Sequence, residues 1–153
     1  MHAITLSEGQ RELVAIEAEH IANKAASEES KATFSRLASA AAAGKLPEEL
    51  SSALGELLAL GLASGRIRAV HGPHGELDAV NLYRRTPQGK AYHAQFDDVN
   101  AMFRAFKDQR IHQVSLSARG PGMFSLTLET EAARVVVSLT QSGVDVRSVE
   151  VAV

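Results

Sequence analysis

The densest group of chemistry-bearing side chains is His71-Gly72-Pro73-His74-Gly75-Glu76, two imidazoles and a carboxylate within six residues, donor types that suit zinc. Glycine and proline between the histidines do not fix a shared coordination face as an i, i+4 helical pair would, and no third strong ligand is close in sequence. The segment therefore reads as a reversing loop, and no metal is assigned to it. His20 falls on the apolar stripe of the first helical segment, where it reads as a packed histidine bonded to a carbonyl. His93 and His112 have no recognisable partner. Asp97-Asp98 offers two carboxylates, but neighbours on a helix diverge by about 100° and do not converge on one substrate, so they read as a solvated face. Arg119-Gly120-Pro121-Gly122 could cradle an anion, yet a tight link between two strands needs the same residues. There is no Gly-x-Ser-x-Gly elbow, no Walker-type phosphate loop and no Gly-x-Gly-x-x-Gly. Cysteine is absent, which removes thiolate metal sites and a Cys nucleophile. No catalytic residue and no cofactor are assigned, and the chain reads as a non-enzyme.

The elements that would position these residues divide the 153-residue chain into a helical half and a strand half. With 16 basic and 18 acidic residues, the overall charge of -2 excludes a polybasic coat for nucleic acid. Charge is nonetheless uneven: residues 65–110 carry eight bases and five acids, whereas residues 1–64 carry five bases and nine acids. The first residues, Met1 to Glu8, lack a basic and apolar leader, and no run approaches about 18 apolar residues. The expectation is a soluble cytoplasmic protein without a membrane segment.

Ser7-Glu8-Gly9-Gln10 is a capping-box pattern and opens a helix over about 7–26, with Leu13, Ile16, His20 and Ile21 on its stripe. A second helix carries Phe34, Leu37, Ala38 and Ala41, and a third follows Pro47 with Leu50, Leu54, Leu57 and Leu58 as far as Gly61. Residues 66–70 and 77–84 are expected to form a β-hairpin around the His-Gly-Pro-His-Gly loop. Thr86-Pro87-Gln88-Gly89 then caps a helix over about 87–108 whose stripe is Tyr92, Phe96, Val99, Phe103 and Phe106. That stripe is either core or a pairing seam between two protomers.

The last forty residues alternate by two, through Val114, Leu116, Ala118; Phe124, Leu126, Leu128; Val135, Val137, Leu139; and Val144, Val146. Short turns between them predict an antiparallel meander. Apolar parity flips between Val146 and Val149, which either a bulge at Arg147-Ser148 or a change of the surface being packed against would explain, and Val149–Val153 is apolar enough to want a neighbour, its own sheet or another chain. The fold class is α+β, with units at 1–86 and 87–153.

The order from the leucine-rich helix ending Leu60-Gly61-Leu62, through Arg66-Ile67-Arg68 and Asn81-Leu82-Tyr83-Arg84, to Thr86-Pro87-Gln88-Gly89 resembles the winged-helix (helix-turn-helix) fold of small bacterial transcription regulators, over roughly residues 30–95. The resemblance implies a winged-helix-like N-terminal unit joined by the aromatic helix to a C-terminal four-stranded meander. It also implies a recognition helix, which here would present Glu48, Glu49, Ser51, Ser52, Gly55 and Glu56, carboxylates that phosphates repel. A basic wing would use Arg66, Arg68, Arg84, Arg85 and Lys90. Two functions follow. The first is a non-catalytic protein-interaction or assembly module that self-associates, with Tyr92, Phe96, Val99, Phe103 and Phe106 as its interaction or dimer face. The alternative is a DNA-binding regulator that grips double-stranded DNA through the wing.

Overall fold

The computed structural model describes residues 3–151, so Met1, His2, Ala152 and Val153, which were included in the readings of both ends, lie outside the described residues. The chain divides into two compact units between Lys90 and Ala91.

The first unit runs β1 (Ile4–Thr5), α1 (Glu8–Lys24), α2 (Glu28–Ala42), β2 (Lys45–Leu46), a single 3-10 turn at Glu48–Leu50, α3 (Ser51–Ala63) and α4 (Arg66–Tyr83). The capping box forms as expected: Gln10 N–H donates to Ser7 Oγ at 3.3 Å and Ser7 N–H donates to Gln10 Oε1 at 3.1 Å. The buried stripe of α1 runs through Leu13, Val14, Glu17 and Ala18, not through Ile16, which is 41% exposed. The helix is thus rotated from the face expected, and a carboxylate takes a core position. β1 and β2 pair antiparallel, Ile4 opposite Leu46.

At the centre lies α3. Ala53, Leu54, Gly55, Leu57, Leu58 and Gly61 are all buried, leaving Ser52, Glu56, Leu60 and Ala63 as a narrow exposed stripe. A helix apolar on most sides belongs in a core, and each fully buried leucine contributes about 1.5–3 kcal/mol. The acidic recognition face is correspondingly reduced. Glu48 and Glu49 belong to the preceding 3-10 turn, Glu49 pairs with Arg36, and Gly55 is buried against the Gln88 side chain.

The expected hairpin wing is a helix. Residues 66–83 form α4, broken only at Gly72, where φ is 71° and ψ is -174°. The glycine interrupts one turn, and Pro73 then occupies the start of a new helical segment, where its fixed φ and missing N–H cost little. Gly-Pro therefore kinks and restarts the helix instead of reversing the chain. Ala79 and Leu82, both fully buried, lie three apart on one helical face.

Thr86 caps the next helix, α5 (Pro87–Arg104), as expected. Its hydroxyl donates to the Tyr83 carbonyl at 2.7 Å and accepts from Gly89 N–H at 3.1 Å. A Cβ on Gly89 would lie 1.8 Å from the Tyr83 carbonyl oxygen, so only glycine fits this turn.

The second unit is an antiparallel sheet in the order β3 (Ile111–Gly120), β4 (Met123–Thr130), β5 (Ala133–Thr140) and β6 (Gly143–Val151). Two-residue links join the strands, and Gly122, at φ 69°, supplies the left-handed position of the Pro121-Gly122 turn. Of the two explanations for the parity flip, the bulge is the one present: Val137 pairs with Val146 and Val136 with Ser148, so Arg147 is the extra residue. Val99 of α5, with Phe96, Met102, Phe103 and Phe106, packs on Val135, Val137 and Val144.

Candidate functional site

Glu17 is the most unusual side chain of the helical unit, a carboxylate only 3% exposed. One of its oxygens accepts from Arg66 Nε at 2.7 Å, and the other lies 2.8 Å from His71 Nε2, which must carry the proton to donate. Burial alone would push this carboxyl up, but hydrogen bonds and charge from Arg66 and His71 outweigh it and hold the group below its ordinary value of 4.5. The cluster pins the first segment of α4 to α1. Its signal in the sequence is Glu17 standing four residues after Leu13 on a buried stripe, a place where a charge needs a buried cation.

Arg66 is therefore committed to a carboxylate. Arg68 pairs with Glu76 at 3.1 Å, and Arg85 donates to the Thr5 carbonyl at 3.0 Å. Arg84 and Lys90 are exposed. Of the five basic residues assigned to a wing, Arg66 and Arg68 stand on α4, Lys90 on α5, and Arg84 and Arg85 in the turn between them, and no strand carries them. The histidine-rich segment is divided in the same way: His71 turns to Glu17, His74 is exposed and Glu76 faces Arg68. No group of three or more metal-ligating side chains is gathered among the described residues. His112 lies 3.3 Å from Glu131, and Asp97 and Asp98 are both exposed.

The aromatic stripe read as an interaction or dimer face is used inside its own unit. Phe96, Val99, Phe103 and Phe106 cover the sheet, while the Tyr92 ring lies tilted against Phe96 with ring centroids 5.2 Å apart. The reason is geometric: a meander with one apolar face needs a cover, and α5 is the helix its unit contains.

That cover is incomplete. Four strands at about 4.8 Å spacing make a sheet near 19 Å wide, whereas a helix with side chains is about 10–12 Å across. The strand left over is β3. Val114 pairs with Leu128 and Leu116 with Leu126, so both belong to the apolar face, yet they are 57% and 64% exposed. Phe124, opposite Ala118, is 40% exposed. One flank of β3 also has no strand beside it. The irregularities of β3 lie near its ends, at Ile111/Gln113 and Ala118/Gly120, whereas the other edge, β6, carries Asp145, Arg147, Glu150 and a bulge within the strand.

Comparison of the chain with protein-family models, curated protein sequences and solved structures finds no match in any of the three. The fold and these surfaces define an α+β chain of two units, one a helical bundle held by a buried ionic cluster, the other a meander covered by a single helix. No helix among the described residues is long and apolar enough to cross a membrane.

Proposed function

We propose that the chain is a non-catalytic assembly module that self-associates, and that its contact is β3 paired antiparallel with β3 of a second copy. The observation that carries this is the exposed apolar edge of Val114 and Leu116. An unprotected edge strand is a template for another strand, and natural edges are usually blunted by charge, proline or a bulge. Between Gln113 and Ala118 β3 has none of these.

Self-pairing is also chemically compatible. With Leu116 opposite Leu116 of the second copy, Val114 falls opposite Ala118 and Arg119 opposite Gln113, so no like charges meet. This register keeps the even-numbered residues of both copies on one face, and the two uncovered apolar strips become one. It adds about one backbone hydrogen bond per residue pair on average. Sedimentation equilibrium over a wide concentration range tests the reading: a dimer is expected, converted to a folded monomer by Leu116→Lys. A chain that stays monomeric at every concentration would end it. The DNA-binding alternative depended on a basic hairpin, and α4 occupies that segment. Steeply salt-dependent binding of a random-sequence duplex would nevertheless bring it back in place of the assembly reading.

A further inference from the structure

We propose a second, independent binding site: the cavity between α1 and α3 in the helical unit takes a small amphiphilic anion, an apolar body ending in a carboxylate or similar head. The cavity has a volume of about 360 Å³, within the lower range of small-ligand sites. Ile21, Leu57 and Leu60 make its walls. Gly61 also lines it, on the side where α3 packs against α4; a Cβ there would lie 2.6 Å from Ile67 Cδ1, so that packing keeps the position a glycine. Leu60 is 62% exposed, a large apolar side chain on the narrow polar stripe of a buried helix, and an occupant would cover it.

The charge around these walls selects the occupant. Lys24, His20 and Arg66 line the cavity together with a single carboxylate, Glu17. Both oxygens of Glu17 are already engaged, by Arg66 Nε and His71. The Nη groups of Arg66 and the ammonium of Lys24 have no partner among the described residues. An apolar pocket that holds one unpaired ammonium, free donor positions on a guanidinium already paired with Glu17, and a satisfied carboxylate attracts an anionic head and disfavours a cationic one.

Isothermal titration calorimetry of the full chain with sodium octanoate, octan-1-ol and octylammonium chloride tests this. Octanoate should bind at least about tenfold more tightly than octylammonium. Lys24→Glu, at an exposed position in the last turn of α1, should weaken octanoate about tenfold, the value of one charge-assisted hydrogen bond, and change octanol by less than about twofold. Leu60→Ser should weaken both octanoate and octanol. The proposal is overturned if octylammonium binds as well as octanoate, if neither variant shifts octanoate, or if octanoate gives no binding heat up to roughly 10 mM.

Discussion

Replacing Arg66 by Met leaves the Glu17 carboxylate buried with only His71 to answer it. Breaking a fully buried pair costs about 3–5 kcal/mol, but the Arg66 side chain is 35% exposed and water recovers part of that, so about 2 kcal/mol is expected. Urea unfolding followed at 222 nm measures it. The double variant Glu17→Leu with Arg66→Met should regain most of the loss, because an apolar pair needs no partner. Acid gives a second reading of the same residue. The Glu17 carboxyl titrates below 4.5 in the folded chain and near that value when unfolded, so its stabilisation is complete above that pH and is lost as pH falls through the folded value. Glu17→Gln should flatten the fall of the urea midpoint between about pH 5 and pH 3. A variant that loses stability with acid as steeply as the parent would remove Glu17 from this account.

At the scale of elements, α4 depends on the backbone of Gly72, whose φ of 71° with ψ of -174° lies in a region that side chains avoid. Gly72→Ala should cost about 1–3 kcal/mol, while Pro73→Ala should cost under about 1 kcal/mol because proline at a first helical position donates nothing that is missed. Equal effects of the two would contradict the kinked-helix geometry. Where signals were purely local, elements were legible before the structure: the Ser7–Gln10 box, the Thr86-Pro87 cap, the meander and the Arg147 bulge each follow from a few neighbouring residues. The wing was misread because Gly-Pro punctuates a kinked helix as readily as a turn, and the arbiter was the pair Ala79 and Leu82, which reveals its helical spacing only once the core is known. The site was less legible than the fold. Glu17 and His71 are 54 positions apart, and no local pattern joins them.

For the whole molecule, two substitutions should separate core from contact. Phe103 is half-buried beneath the sheet, and Phe103→Ser should cost the second unit about 2 kcal/mol, less than a fully buried phenylalanine, without changing the association state of the chains that remain folded. Leu116→Lys should do the reverse, keeping the thermal midpoint within a few degrees when monomer is compared with monomer and shifting the sedimentation mass. Thermal unfolding paired with light scattering reads both, and a Phe103 variant that folds normally as a monomer would return the aromatic stripe to the interface.

The Arg147 bulge bears on how far such an assembly grows. A sheet with two equivalent open edges can add copies at either side without end and become a fibre. Here the extra residue twists β6 out of flat register beside Asp145 and Glu150, so a neighbouring strand approaching that side meets a mismatched ladder and charge. The proposed pairing would consume the regular middle of β3, Gln113 to Ala118, in each copy and leave only the blunt edge facing outward. On the proposed β3 pairing, growth would terminate at two, and the stoichiometry would be set by a single inserted arginine in β6.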